Sequence, residues 1–169
     1  MPLLGLYTGA RLNELCQLYV NDIKEVDKIW CIDINRNTND KKLKNASSER
    51  VIPIHPKLIE LGFLNFVKEQ KKNKSQRLFS HLKLGSDGYI KNVSRFFNVK
   101  WLPEIGVKTS KKSFHSLRHT FANDLKQAGV IEQVASELLG HAPQSITYGR
   151  YGKESRIEVL LEQISRINL

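Results

Sequence analysis

The stretch SFHSLRHTFANDLKQAGVIEQVASELLGH, residues 113–141, decides the fold class of this chain. Its apolar residues recur at helical spacing, which predicts one helix over about residues 116–127 and another over about residues 131–139. Gly129 and Gly140 follow these helices at positions where glycine, with its access to left-handed backbone angles, commonly ends a helix. The stretch therefore predicts two consecutive helices joined by a short turn.

A pair of strands is predicted upstream of these helices. Residues 28–34 alternate between two faces in the way that is typical of a strand. Residues 35–48 are mostly polar and predict a long hairpin connection to a second strand over residues 50–54. Pro53 lacks the N–H group that a sheet ladder needs, so the second strand is expected to end there or to lie at a sheet edge.

The remaining segments have helical patterns. A short helix is expected after Thr8-Gly9-Ala10-Arg11, another from Pro56, and a third after the turn at residues 85–88. A tail helix over about residues 154–167 carries an apolar stripe made of Ile157, Leu160, Leu161, Ile164 and Ile167. Together, these predicted helices and strands indicate an α+β chain that is mostly helical, with its small antiparallel β-sheet near the N-terminal side, and not an alternating βαβ chain.

Charge is the most informative feature of the composition. The 169 residues include 27 Lys and Arg against 17 Asp and Glu, a net charge of +10, which is the pattern of a surface that meets phosphates. The basic residues cluster in three places, and a solvated loop is the alternative interpretation of each: Lys41, Lys42 and Lys44; Lys71, Lys72, Lys74 and Arg77; Lys108, Lys111 and Lys112.

Length and apolar patterning exclude several classes of protein. A chain of this length fits one domain, and no apolar run approaches the ~20 residues of a membrane span. The first residues lack a basic leader, so neither a signal peptide nor an anchor is expected. Cys16 and Cys31 have no metal-binding or redox spacing, which predicts two core residues in a reducing cytoplasm.

Several residues along the chain are able to carry chemistry. They are Arg11, Lys44, His115, Arg118, His141 and Tyr151. Each has a simple structural explanation when taken alone: Arg11 would pair with Glu14, the histidines would cap or pack, and the tyrosine would be a half-buried aromatic.

Taken in order, these residues resemble the signature of the tyrosine recombinases, the phage integrase family. The matching elements are Thr8-Gly9-Ala10-Arg11 with Glu14-Leu15, Lys44 in the predicted hairpin, His115 with Arg118, Leu139-Gly140-His141, and Tyr151. The resemblance extends from Leu3 to about Lys153, and five elements in one order make it specific. It implies the mostly helical catalytic domain of that family, without cofactor or metal.

The resemblance implies a role for each site residue. Arg11 and Arg118 would hold the non-bridging oxygens of a DNA phosphate and stabilise the charge added in the transition state. Lys44 would protonate the leaving 5′ oxygen, His115 would handle the tyrosine proton, and His141 would donate a hydrogen bond to the phosphate. Tyr151 would attack and form a 3′-phosphotyrosine. Tyr148 is the alternative nucleophile, because the interval to Tyr151 is one residue longer than in the commonest family pattern.

The same resemblance implies a domain assignment and partners. Residues 1–169 would be the catalytic domain of a longer enzyme, without the N-terminal domain that clamps DNA and without the first catalytic-domain helix. Its partners would be double-stranded DNA and other protomers, with a tetrameric synaptic complex for the full-length protein, in the cytoplasm of a bacterium and at its nucleoid. A phage or other mobile-element integrase is favoured, with a chromosome-resolving recombinase or a transposon enzyme as alternatives.

Two hypotheses from other functional classes stay open on the residues alone. The helices at 116–127 and 131–139 resemble a helix-turn-helix DNA-binding module, which would give Arg11, Lys44 and Tyr151 no role. His115 and His119 are spaced i, i+4, with His141 beyond, which is the start of a zinc site; no H-E-x-x-H motif is present.

Overall fold

The computed structural model describes residues 1–142 and 155–167. The chain begins with helix α1, Pro2–Thr8, and helix α2, Leu12–Cys16. Gly9 lies between them in the left-handed region with φ 61°, so the chain reverses direction within a few residues. Helix α2 confirms the helix predicted after Arg11, whereas α1 was not predicted from the sequence.

Three antiparallel strands form one sheet in the order β1, β2, β3. They are β1, Ile23–Val26, β2, Ile29–Ile34, and β3, Arg50–Pro53. The predicted hairpin is confirmed, with Ile34 opposite Arg50 and Cys31 opposite Pro53. Strand β3 lies at the sheet edge and ends at Pro53, as the missing N–H of proline predicts. Strand β1 was not predicted.

Helices occupy the middle of the chain. After the sheet come α3, Pro56–Glu60, and α4, Phe63–Lys72, separated at Gly62, whose φ is 86°. The turn predicted at residues 85–88 is confirmed by two backbone hydrogen bonds between Gly85 and Gly88. It leads into α5, Lys91–Arg95, which continues through a π-helical segment, Phe96–Trp101, into α6, Leu102–Glu104.

The last part of the described chain contains three helices, two of which pack on the sheet. Helix α7 is His115–Gln127, α8 is Glu132–Leu139, and α9 is Ile157–Ile164, close to the predicted ranges. Helix α7 packs on α1 and α8, while α9 packs on β3 and α8. The architecture confirms the predicted α+β class, with one core in which Phe121, Ile32, Ile52, Leu138 and Ile164 are fully buried.

The tail helix packs on the core of its own chain. Ile157, Leu160, Ile164 and Ile167 are buried there, and Leu161 is partly buried against the same core. Within residues 1–142 and 155–167, none of the helices has the length and apolarity that crossing a bilayer takes.

Candidate active site

Arg118 lies where three segments of the chain meet. It stands one turn into α7 and is 5% exposed. Its Nη1 donates to the carbonyl oxygen of Gly9 at 2.7 Å, and its Nη2 donates to that of Leu139 at 2.6 Å. One guanidinium therefore joins the turn before α2 to the end of α8, two segments that are far apart in sequence.

Two left-handed glycines make this junction possible. At Gly9, a Cβ atom would lie 2.5 Å from the Phe121 ring, so any other residue would push the turn away from α7. At Gly140, with φ 67°, a Cβ would lie 2.8 Å from Nη1 of Arg50. The close approach at both positions explains why glycine follows Thr8 and Leu139 in this chain.

Glu14 forms the anionic centre of the site. It is 2% exposed, accepts from Arg11 Nη1 at 2.7 Å through Oε1, and accepts from Arg50 Nη2 at 2.9 Å through Oε2. The backbone N–H of Arg11 also donates to Oε2 at 2.9 Å, which fixes the start of α2. Burial alone would raise the pKa of Glu14, but the charge and hydrogen bonds of Arg50 and the hydrogen bonds of Arg11 lower it below its ordinary value.

Arg50 is a site residue to which the sequence assigned no role. From the start of β3, its Nε donates to the carbonyl of Leu138 at 2.8 Å and its Nη1 to the carbonyl of Ser48 at 2.7 Å. Arg50 and Arg118 thus hold two successive carbonyls at the end of α8. The spacing of Arg11 and Glu14 was a usable signal for their pair, but nothing in the local pattern around Arg50 indicates contacts with α8.

The two site histidines lie in a field of positive charge. Partial burial lowers the pKa of His115 below 6.5, and repulsion by His119, Arg118, Arg11 and Lys44 lowers it further. Burial and repulsion by Arg118, Arg11, Arg50 and Lys44 lower the pKa of His141 in the same way. The structure therefore brings Arg11, Lys44, His115, Arg118 and His141 together.

The same crowding acts on Arg118. Burial and the nearby charges of Arg11 and Arg50 lower the pKa of Arg118 to about 10, with Glu14 opposing them. The guanidinium stays protonated at neutral pH, so the positive charge is retained at the cost of repulsion. Such a set of like charges favours an anion between them.

A cavity of about 200 Å³ opens beside Arg11 and His115. Ser94, Asn98 and Ser113 are also in its wall. Asn98 belongs to the π-helical segment, and its Nδ2 donates to the Ser94 carbonyl at 2.9 Å. The cavity thus places hydroxyl and amide groups next to the Arg11 guanidinium and the His115 imidazole.

The cluster of lysines at 41–44 divides into different roles. Lys41 is 7% exposed and pairs with Asp22, so the interpretation of this cluster as three solvated or phosphate-binding lysines is wrong for Lys41. Lys44 is exposed, and the described part of the chain gives its side chain neither an ion pair nor a hydrogen bond. Tyr151 and Tyr148, the two candidate nucleophiles, lie outside the described residues.

The structure also bears on the zinc-site hypothesis and on the helix-turn-helix hypothesis. The rings of His115 and His119 contact each other edge to face, with centroids 4.7 Å apart. Within the described ranges, no three His, Cys, Asp or Glu side chains are grouped to hold a metal ion. Helices α7 and α8 do contact each other, but Arg118 of α7 points into the protein and binds Gly9 and Leu139.

Known proteins of the phage integrase family are similar to this chain in sequence. The model of the phage integrase family matches residues 1–156. A tyrosine recombinase of Thermosipho africanus is 32% identical over 145 residues, covering 83% of this chain and 44% of that protein. Tyrosine recombinase XerA of Pyrococcus furiosus is 31% identical over 176 residues, covering 96% of this chain and 51% of that protein. The chain thus spans about half the length of these curated relatives.

Solved structures share the fold. The integrase of mycobacterium phage Brujita superposes with a TM-score of 0.64 at 19% identity, covering 99% of this chain and 50% of its own. The XerH site-specific recombinase, solved bound to its difH substrate, gives a TM-score of 0.59 at 22% identity, covering 94% of this chain and 42% of its own. The α+β architecture described above is therefore one that recombinases and integrases also have.

Proposed function

This chain belongs to the phage integrase family, and from that premise we propose that it cuts and rejoins DNA strands as part of a site-specific recombinase. Strand exchange would proceed through a 3′-phosphotyrosine on Tyr151. That bond conserves the energy of the phosphodiester, so rejoining requires no ATP. A phage or other mobile element is the proposed origin.

One observation carries this proposal: the described part of the site gathers four cationic side chains around one carboxylate. Arg11, Arg50 and Arg118 lie together with Lys44, and among the described residues Glu14 is the carboxylate that bonds to this group. A phosphodiester in attack gains negative charge on its non-bridging oxygens. Fixed cationic donors in a partly dry site stabilise that charge strongly, because they need no rearrangement when it develops.

The two arginines that we propose as phosphate ligands are pre-oriented. Arg11 is held by Glu14 and, at 3.3 Å, by Ser48, while Arg118 is held by the carbonyls of Gly9 and Leu139. Each guanidinium has five N–H donors, so these bonds leave donors for phosphate oxygens. Because the orientation is fixed before DNA binds, little conformational entropy would be lost at the reacting centre.

Proton transfer is assigned to the lysine and the histidines. The lowered pKa of His115 keeps its imidazole neutral near pH 7, where it is able to accept the tyrosine proton. Lys44, exposed on its loop, would donate a proton to the leaving 5′ oxygen, and His141 would donate a hydrogen bond to the phosphate. Since the arginines and Lys44 supply the charge stabilisation, we expect cleavage to survive EDTA.

Domain role and partners are part of the proposal. Residues 1–169 would be the catalytic domain of a longer recombinase that acts on double-stranded DNA in the cytoplasm, with further protomers assembled on the DNA. The support is that XerH and the Tn1549 transposon integrase were both solved with DNA, and that the chain covers 42% and 57% of those proteins.

The decisive experiment removes the proposed nucleophile. In the intact protein, Tyr151→Phe is expected to abolish the covalent protein–DNA adduct on a nicked duplex while DNA binding stays nearly unchanged. The substitution removes one hydroxyl and keeps the ring, so the nucleophile is lost and little else changes. Adduct is measured by denaturing gel electrophoresis and binding by gel shift.

Tyr148→Phe is the matched control for this experiment. We expect it to retain the adduct. If Tyr148→Phe eliminates the adduct and Tyr151→Phe retains it, the nucleophile assignment is wrong although the class of reaction stands. If both single variants and the double variant still form the adduct, the tyrosine mechanism fails for this chain.

A further inference from the structure

The loop between β2 and β3, which carries Lys44, is tied to the protein by a buried ion pair. Lys41 is 7% exposed, and its Nζ donates to Asp22 at 2.7 Å and 2.9 Å and to Asn35 Oδ1 at 2.7 Å. Asn35 in turn donates to Asp22 at 2.8 Å, and the backbone N–H of Tyr19 donates to Asp22 at 2.7 Å. Three buried polar side chains therefore satisfy one another at the base of the loop.

A second tie joins the next residue to α2. The backbone N–H of Lys42 donates to Gln17 Oε1 at 2.9 Å, and the Lys42 carbonyl accepts from Asn13 Nδ2 at 3.2 Å. Asn13 also donates to Gln17 at 3.1 Å, so the two side chains support each other. Helix α2 starts directly after Arg11, and the loop is thereby tied to the element that positions this arginine.

The loop is held on the other side of Lys44 as well. Asn45 Oδ1 accepts from Ser48 Oγ at 2.6 Å, and the same hydroxyl accepts from Arg11 Nη1 at 3.3 Å. The Ser48 carbonyl accepts from Arg50 at 2.7 Å. Leu43 packs on the core. Lys44 is therefore an exposed residue between two loop segments that hydrogen bonds hold in place. One residue separates it from Lys42, whose backbone is bonded to Asn13 and Gln17.

We propose that Lys41, through its buried contacts with Asp22 and Asn35, and Asn13, through Lys42, are positioning residues that hold Lys44 in reach of the leaving oxygen. The proposal rests on the proposed function, in which Lys44 is the general acid. A buried ion pair is a poor way to gain stability, since apolar residues of the same size commonly serve as well. The buried ion pair instead determines the path of the loop, because its hydrogen bonds fix where the loop leaves the sheet.

The test uses the proton that the leaving 5′ oxygen must receive. As the oxygen of Tyr151 bonds to phosphorus, the bond from phosphorus to the 5′ oxygen breaks and the ammonium of Lys44 gives that oxygen its proton. A 5′ alkoxide is a poor leaving group, since hydroxyls of this kind have pKa values of the order of that of water, about 15.7. A thiol has a pKa of about 8.5 and leaves without a proton. A duplex with sulfur in place of the bridging 5′ oxygen therefore needs no general acid.

The experiment compares single-turnover adduct formation on the oxygen and sulfur duplexes at saturating DNA, in the intact protein. Lys44→Ala should be slowed by about 10²–10⁴-fold on oxygen and restored on sulfur. Lys41→Met should be slowed by about 10- to 100-fold on oxygen, as expected for a misplaced group, and also be restored on sulfur. Asn13→Ala, which removes one tie, should lose about 2- to 12-fold on oxygen. Arg118→Ala should be slow on both.

A matched control comes from a second Lys–Asp pair beside the same sheet. Lys24 Nζ lies 2.6 Å from Asp33, but that pair is partly exposed, and it joins the side chains of two strand residues, not of the loop that carries Lys44. Lys24→Met is expected to react like the unchanged protein on both duplexes. A general effect of losing any lysine would slow it too.

The outcomes distinguish failure of the proposed general acid from failure of the proposed positioning role. If sulfur does not rescue Lys44→Ala, the proposed general acid is wrong and the function needs revision. If Lys44→Ala is rescued while Lys41→Met and Asn13→Ala are slowed equally on both duplexes, or not slowed at all, the positioning role is overturned and the network is structural. Should Lys41→Met fail to fold, judged by its circular dichroism, Asn13→Ala alone decides.

Discussion

Arg118 illustrates how one side chain serves the fold and the site at once. Its guanidinium donates to the carbonyls of Gly9 and Leu139, and its charge adds to the effect of burial in lowering the pKa values of His115 and His141. The planar fork of arginine is able to do both, because it presents several donors in fixed directions. A lysine has the charge but not the fork.

Arg118→Lys is therefore expected to behave as a severe substitution. An ammonium cannot reach both carbonyls in the geometry of the guanidinium, so at least one buried acceptor is left unpaired. We expect the free energy of unfolding to fall by about 1–3 kcal/mol and adduct formation to fall by about 10²–10³-fold. Urea unfolding and single-turnover cleavage measure the two effects.

The surface residue Arg166 provides the control for this substitution. It pairs with Glu162 one turn away on the protein surface, where such pairs contribute little. Arg166→Lys should leave both measurements unchanged. Adduct formation by Arg118→Lys at the normal rate would show that charge alone is sufficient at this position.

The sequence predicted a set of site residues but not the residues that hold them in place. Motif order pointed to Arg11, His115 and Arg118, and the structure brings these together. The bridging role of Glu14 and the contacts of Arg50 with α8 were missed, because the partners Leu138 and Arg50 are 88 residues apart. Local pattern contains no information about contacts over such a separation.

At the scale of the element, the turn between α1 and α2 makes a prediction about Gly9. Gly9→Ala places a Cβ 2.5 Å from Phe121 in a left-handed conformation. The left-handed conformation costs about 1–2 kcal/mol, and overpacking costs about a further 1–3 kcal/mol. Urea unfolding should show a decrease in the free energy of unfolding equal to the sum of these two costs.

Gly129 is the matched control for Gly9. It follows α7 with φ 73°, and a Cβ there would meet nothing within 4 Å. Gly129→Ala should therefore show the conformational cost alone, about 1–2 kcal/mol. Equal losses for the two variants would mean that the close approach of Gly9 to α7 is unimportant.

The tail helix α9 is tied to α3 through His55, which makes stability depend on pH. His55 Nδ1 accepts from the N–H of Lys57 at 3.0 Å, so Nε2 carries the proton and faces the Ile167 carbonyl at 3.2 Å. Burial lowers the pKa of His55 below 6.5, with the carbonyls of Ile167 and Ile164 opposing it.

The sign of the pH effect follows from that lowered pKa. Below about pH 6.5 the unfolded chain binds a proton at His55 that the folded chain does not bind, so stability decreases as pH falls through this range. Above pH 6.5 this contribution is constant. His55→Gln should flatten the decrease, measured as the free energy of unfolding between pH 5 and pH 8; an unchanged slope would assign the effect to other groups.

Several elements could not be predicted because their signals were absent or ambiguous. Strand β1 pairs with β2 through a two-residue turn at Asp27 and Lys28, with φ 50° and 65°. Turns of that kind usually contain asparagine and glycine, and their absence concealed the hairpin. The helix predicted from Pro56 is interrupted at Gly62, where the left-handed φ of 86° ends one helix and starts the next.

At the scale of the whole molecule, α9 relates the fold to assembly. Its apolar stripe is covered by β3, α8 and the rest of its own core, so the stripe is not free in this conformation. The family resemblance predicts that such a tail docks on a neighbouring protomer when the enzyme assembles on DNA, which would require that it leave this position. Since the stripe is covered here, we expect this chain to be monomeric in the absence of DNA.

The distribution of the +10 charge makes the last prediction, on DNA binding. Binding that releases counterions from several phosphates should weaken by about 10³–10⁵-fold between 50 and 200 mM salt. Of the two basic clusters that contain no proposed site residue, the one at residues 108–112 lies beside the site: Lys108 Nζ is 3.4 Å from Asn98 Oδ1, and Asn98 is in the wall of the cavity that Arg11 and His115 share.

Two double substitutions test which surface faces DNA. Lys111→Gln with Lys112→Gln should reduce the slope of log affinity against log salt by about 2, since each phosphate contact contributes about 0.9. Lys71→Gln with Lys72→Gln removes the same charge at the end of α4, away from the cavity, and should leave the slope nearly unchanged. Fluorescence anisotropy with a labelled duplex measures both. If the two pairs lower the slope equally, the salt dependence comes from the net charge alone and DNA does not approach preferentially beside Arg11 and His115.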